Sequence, residues 1–414
     1  MTTSAEPQSL LLQILDPAHR ADPYPLYDRI REQGAVHMPE SNLAVFSSFA
    51  DCDEVLRHPS SSSDRLKSTV AQRLIAEGAE ARPLGPPGFL FLDPPDHTRL
   101  RRLVSKAFLP KVVRALEPEI ARLVDALLDE ADSTSDPFDA VAGLAYPLPV
   151  AVICRLLGVP LADEPEFSAA SALLAQSLDP FVSVTGSAGG GAEERLQAGL
   201  WLREYLRQLI AERRRNIGDD LMSGLIQVEE SGDQLTEEEI VATCNLLLVA
   251  GHETTVNLIA NAILALLRDP VWWTALATDP AQAGAVIEET LRYDPPVQLM
   301  GRVAGEAMSI GGLSIPKGDN MLALIAAAHR DPEAFDQPDL FDPGRTAIRH
   351  LAFGKGAHFC IGAPLARLEA NVALTAMAAR FPHAALAGEP QYKQNVTLRG
   401  MSTLPISLRR DAFS

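Results

Sequence analysis

The 414-residue chain is poor in cysteine, in positive charge, and in apolar sequence near its start. Its four cysteines, Cys52, Cys154, Cys244 and Cys360, lie far apart in sequence. That scatter leaves no zinc or iron–sulfur spacing to be written, and unpaired cysteines fit a reducing compartment. Basic residues number 36 against 54 acidic ones, a formal charge of −18 that argues against nucleic acid as a partner. The opening stretch, MTTSAEPQSLLLQILDPAHR, has no basic segment before its short apolar run, which stops at Asp16. Neither a signal peptide nor a membrane anchor is expected there, and the expectation is a soluble cytoplasmic protein. No flavin or nicotinamide motif is visible, so any electrons must come from elsewhere.

The most informative stretch is FGKGAHFCIG, Phe353 to Gly362, followed by the helical run GAPLARLEANVALTAMAARF. A thiol at a helix N-terminus faces unpaired N–H groups and the positive end of the macrodipole, so the Cys360 pKa is expected below its usual ~8.5. Gly354 and Gly356 can supply positive φ, and Gly362 leaves room for something flat against the backbone. A lone presented thiolate is a nucleophile, a single axial ligand to haem iron, or a buried core cysteine. His358, two residues away, is near in sequence only.

Other segments carry their own signals. A helix is expected over Tyr24 to Gln33, then a hairpin from AVHM and LAVFSS, then turn-rich stretches at Ser60–Ser63 and Gly78–Phe89. In DPPDHTRLRRLVSKAF, His97 and Arg101 project from one helical face, a pair able to bind a carboxylate or to form a solvated basic surface. Two amphipathic helices are legible between Pro118 and Gly158. TGSAGGGAEE (Thr185–Glu194) reads as a flexible connection or lid before another long helix. Thr236 with Glu239 forms a capping box opening a helix to Arg268, about 50 Å at ~1.5 Å per residue. Its apolar pattern breaks at GHETT: Gly251 costs ~1 kcal/mol relative to alanine, and Glu253 and Thr254 place polar groups in a core helix. A threonine there can bond back one turn and loosen the helix. Glu289 and Arg292 sit three apart in EETLRYDPP, RVAGEAMSIGGLSIPKGD reads as paired strands, and NVTLRGMSTLPISLRR reads as a closing hairpin.

FGKGAHFCIG resembles, at each motif position, the haem-binding loop F-G-x-G-x-H-x-C-x-G of the cytochrome P-450 family. AGHETT is similar to that family's oxygen-activation motif, and Glu289 with Arg292 to its E-x-x-R pair, with Arg345 in FDPGR as third member of a structural cluster. The resemblance runs in order from about residue 90 to Gly362. It implies a mainly α, single large domain over residues 1–414, with small β-sheets and a long central helix over a buried haem b. It implies Cys360 as axial ligand and His97, Arg101, Arg302 and His358 as propionate partners, with Phe353, Gly354, Gly362 and Ala250 against the cofactor. Thr254 and Glu253 would guide protons to dioxygen, and Phe89, Leu246, Val249, Ala250, Gln298, Leu299 and Met401 would line a pocket for an apolar substrate. The implied activity is monooxygenation with electrons from a ferredoxin and its reductase, docked on Arg99, Arg102, Lys106, Lys111 and Lys355. A peroxide-driven peroxygenase and a haem sensor or carrier are the alternatives.

Overall fold

The structure is a computed structural model that describes residues 5–133, 137–185, 190–230 and 235–408. Its axis is the helix Glu237–Arg268. The capping box that opens it is present: Thr236 Oγ1 accepts from the Glu239 N–H, and Glu239 returns a bond to the Thr236 N–H. By length and composition this helix could cross a membrane, but 71% of its apolar window is buried inside the protein, as befits a core helix. Packed against it are the helices Pro147–Leu157, Ala192–Arg215, Ala283–Tyr293 and Ala363–Arg380. Gly251 explains its own cost, because a Cβ there would stand 3.0 Å from Ile153 Cδ1 on Pro147–Leu157. The glycine lets two core helices approach.

Glu117–Ser133 buries Ile120, Val124 and Leu128 along one stripe, as its spacing predicts. The second expected helix begins later, at Pro147, after a short strand (Phe138–Asp139) and a π turn (Val141–Ala145). It stops at Gly158, whose φ of +82° lets its N–H reach the Cys154 carbonyl. Cys154 is packed in the core.

The N-terminal hairpin forms, Val36–Met38 against Leu43–Phe46, and the sheet continues beyond it. Leu43–Phe46 runs parallel to Asn320–Ala323, which pairs antiparallel with Met300–Ala304, and Ser61–Ser62 completes five strands. Gly311 and Gly312, both at positive φ, turn the small hairpin Met308–Ile310/Leu313–Ile315. The tail departs from expectation. Met401–Thr403 pairs with Gln391–Tyr392, whereas Pro405–Ser407 pairs with Phe138–Asp139 and Ala385–Leu386. Its strands serve two sheets because Leu404 and Ile406 are wholly buried between them and the helical core. Of the expected lid, positions 186–189 lie outside the described residues.

Candidate active site

A cavity of about 300 Å³ lies between the central helix and the Cys360 loop, a size typical of small-molecule sites. A second hollow, near Arg20 and Lys393, offers only about 10 Å³, room for a single water.

The cavity gathers residues from segments far apart in sequence. The central helix contributes Leu246, Ala250, Thr254 and Leu258, four apart and so on one face. From the loop come Phe353, Gly354, His358, Cys360 and Gly362, and from elsewhere Phe89, Arg101, Leu299 and Arg302. Three residues expected to line the cavity do not. Val249 belongs to the neighbouring helical stripe and packs against the core, and Met401 is wholly buried there. Gln298 turns to the small hollow, with its Nε2 donating to the Pro295 carbonyl at 2.7 Å.

Cys360 is positioned by backbone: its N–H donates to the Phe353 carbonyl at 2.8 Å, and Gly354 (φ +67°) makes the reversal between them. The thiol departs from the expected acidity. Burial pushes its pKa up, and this outweighs the opposing N–H groups of Gly362 and Ala363 and the charges of Arg101 and Arg367. A helix N-terminus alone does not make this sulfur a thiolate, whereas coordination to a cation would.

Beside the Cys360 loop stands a cluster of two guanidinium groups, Arg101 and Arg302, and two imidazoles, with Asp93 as the acid acting on His97, His358 and Arg302. The His97 and His358 rings lie 4.1 Å apart, and His97 has both nitrogens buried without a hydrogen bond. Burial, then Arg302 and His97, lower the His358 pKa to about 3; burial and Arg101 lower that of His97. Burial brings Arg302 down to about 10. Arg101 donates to the Phe359 carbonyl, which ties its helix to the loop. Two guanidinium groups and two imidazoles with unused nitrogens suit a ligand bearing carboxylates. A flat group has room beside Gly362, since a Cβ there would meet only Cys360 Sγ, at 3.9 Å. The residues present therefore fit a porphyrin with its propionates.

Opposite the loop, Thr254 Oγ1 donates to the Ala250 carbonyl at 3.0 Å and Thr255 Oγ1 to that of Gly251 at 3.3 Å, the back-bonding expected of the GHETT break. The acid beside Thr254 faces elsewhere. Glu253 lies one position back on the helix, away from the cavity, and Lys393 Nζ donates to its Oε1 at 2.7 Å. The same ammonium lies 3.4 Å from Asn257 Oδ1.

Several residues of this region escaped the sequence reading. Glu369, on the helix after Cys360, lines the cavity as a buried carboxyl with Oε2 unpaired, and burial raises its pKa to about 8. Its only advance signal was an acidic residue inside the apolar run of that helix. Glu288 accepts from Arg367 (2.6 and 2.9 Å) and contacts His350 at 3.0 Å, clamping the loop to the helix that follows. The neighbouring Glu289 takes two bonds from Arg292 (2.9 and 2.7 Å), one from Arg345 (3.1 Å) and one from the Asp342 N–H. His329 accepts from the Leu351 N–H at 2.7 Å while its own carbonyl accepts from Arg292, which carries that cluster to the loop.

Comparison with known proteins agrees with this arrangement. The chain matches the Cytochrome P-450 family over residues 36–279 and 283–408. Cytochrome P-450 107B1 of Saccharopolyspora erythraea is 39% identical over 98% of this chain and 99% of its own. CYP164A2 of Mycobacterium smegmatis, solved free of ligand, superposes with a TM-score of 0.92 at 68% identity, covering 96% of this chain and 99% of that one. Myxobacterial CYP267B1, solved in complex with myristic acid, gives 0.86 at 34% identity over 96% and 99%. With a thiol, a cluster suited to carboxylates and a core helix whose apolar pattern is interrupted by Glu253 and Thr254 around one cavity, this chain belongs to the cytochrome P-450 family and is a haem-b-dependent monooxygenase.

Proposed function

We propose that this enzyme inserts one oxygen atom from dioxygen into a mainly apolar small molecule, by hydroxylation or epoxidation, with electrons from a separate ferredoxin and its reductase. The observation that carries this reading is the shared cavity: Cys360, Arg101, Arg302, His358 and Thr254 meet there with an apolar wall, and His97 stands behind His358, ring to ring at 4.1 Å. Haem held by Cys360 supplies the oxygen chemistry. Arg101, Arg302, His97 and His358 would hold its propionates, and Phe353, Gly354, Gly362 and Ala250 would pack against it.

Thr254 presents a hydroxyl to the cavity, and Glu253 holds a carboxylate on the adjacent face beside Lys393. Glu253 would supply that hydroxyl with a proton by swinging from Lys393 to the Thr254 side of the helix. Phe89, Leu246 and Leu299 exclude water and favour an apolar substrate. The wall draws on residues from Ser63 to Leu398, which supports reading the chain as one domain. Cytoplasmic residence fits its unpaired cysteines.

The basic surface is smaller than expected. Arg99 is occupied by Glu239 at 2.5 Å and Asp96 at 3.2 Å. Arg102, Lys106 and Lys111 remain exposed, with Leu109 and Val112 exposed between and beside them, and Lys355 is half-buried. Cations around an apolar centre suit an acidic ferredoxin.

The test is spectroscopic, then catalytic. The reduced carbonyl complex should carry the thiolate signature, and a compound panel should be oxidised with ferredoxin and reductase but not with peroxide alone. Thr254→Ala should retain haem, lose productive turnover ~10²-fold and divert reducing equivalents to peroxide. An unchanged product yield per electron in Thr254→Ala would remove that hydroxyl from the proton route.

A further inference from the structure

One charged side chain of the cavity wall has no place in the chemistry described so far. Arg65 lines the cavity and keeps accessible surface. Its guanidinium rests over the Phe91 ring, 4.7 Å from the centroid, and Nη1 donates to the Ser177 carbonyl at 3.1 Å. Nε and Nη2 have no hydrogen bond among the described residues.

The nearby carboxylates are committed to other partners. Asp64 accepts from the Leu66 N–H at 3.0 Å. Asp93 takes Lys67 Nζ at 2.7 Å, the Ser63 N–H at 2.9 Å and the Ser62 hydroxyl. Two residues before Arg65, the Ser63 hydroxyl is buried without a hydrogen bond and belongs to the same wall. An aromatic face and a backbone carbonyl thus fix a guanidinium whose remaining donors are directed to no protein acceptor. Beside it stands a second unused donor, and around both the wall is apolar: Phe89, Phe91, Leu178, Leu246 and Leu299.

We propose that Arg65, with Ser63, is the carboxylate-binding subsite of the substrate cavity, and that the natural substrate is an apolar carboxylic acid. The inference rests on the monooxygenase reading for what becomes of the acid, though not for its binding. A planar fork pairs with a carboxylate through two parallel bonds, and apolar neighbours strengthen that pairing. The hydrocarbon part extends along Phe89, Leu246 and Leu299. Carboxylates can reach Arg65 from two sources, since the haem propionates carry the same group and Arg302 is among its electrostatic neighbours.

The experiment separates these sources. Haem-loaded wild-type, Arg65→Leu and Arg65→Lys proteins are titrated calorimetrically with decanoate and with decanol, and haem loss to apomyoglobin is timed for each. Wild type should bind decanoate at least ~10-fold more tightly than decanol, the scale of one charge-assisted pair. Arg65→Leu should erase that preference while leaving decanol affinity and haem retention unchanged, and Arg65→Lys should keep part of it. Equal wild-type affinities, or a preference that survives in Arg65→Leu, overturns the proposal. So does faster haem loss in Arg65→Leu with the preference intact, which would assign Arg65 to a propionate. If wild type takes up no haem, the monooxygenase reading fails instead, and the decanoate–decanol comparison still decides the role of Arg65.

Discussion

Glu369 shows how much one side chain can report. Its carboxyl is buried with an oxygen unpaired, so it is held neutral up to about pH 8, against ~4.3 in an unfolded chain. A folded-state pKa raised in this way contributes stability that is fully present below the unfolded value and is lost as pH rises through the folded one. The enzyme should therefore lose roughly 2 kcal/mol between pH 6 and pH 8 from this group, and Glu369→Gln should not. Denaturant midpoints at the two pH values check this, and parallel slopes for both proteins would disprove it. Residues at this scale were unevenly legible. Cys360 and Thr254 stand in short motifs whose chemistry is local, so the letters alone located them. Lys393 could not be assigned to Glu253 from sequence, because 140 positions separate them and only the fold closes the gap. Arg65 was missed for the same reason, since its isolation is a property of the cavity.

The central helix was legible in extent but misread in phase. Leu246, Ala250, Thr254 and Leu258 face the cavity, whereas Val249, Glu253 and Asn257 form the stripe one residue back. Counting in fours from Thr254 would have excluded Val249 and turned Glu253 away. Elsewhere, packing settled what periodicity left open: the tail's strands join two sheets because their partners come from distant parts of the chain. The Glu289–Arg292–Arg345 cluster carries the prediction at this scale. Glu289 and Arg292 are wholly buried, and Arg292 also donates to the carbonyls of His329 (3.1 Å), Pro338 (2.5 Å) and Leu340 (2.8 Å). Glu289→Gln leaves two guanidinium groups short of a counter-charge, at a cost of about 3–5 kcal/mol. Arg292→Lys should fare no better, because an ammonium cannot reach the carboxylate and three carbonyls at once. Both variants should be recovered with little haem; full haem content with wild-type melting would show the cluster to be dispensable.

Across the whole molecule, charge is distributed against the net sign. The chain carries −18 overall, yet Arg102 on the helix Asp96–Ser105, Lys106 in the turn after it and Lys111 on the next helix are exposed around Leu109. Reversing Arg102 and Lys111 to glutamate should slow reduction by an acidic ferredoxin about 10-fold at low salt and flatten its salt dependence. Stopped-flow rates at several ionic strengths decide it, and unchanged rates would place docking on another face. The final stretch of the chain ties together parts that are remote in sequence. Gln394 and Arg399 bond with Arg20 and Ala21 near the N-terminus, Val396 and Thr397 donate to Asp179, and Lys393 reaches Glu253. Such lacing cannot be drawn tight before residues 393–399 are free to fold back. While a ribosome's exit tunnel still holds them, Thr397 and Leu398 are missing from the wall around the sulfur, and stable capture of a cofactor has to wait for their emergence.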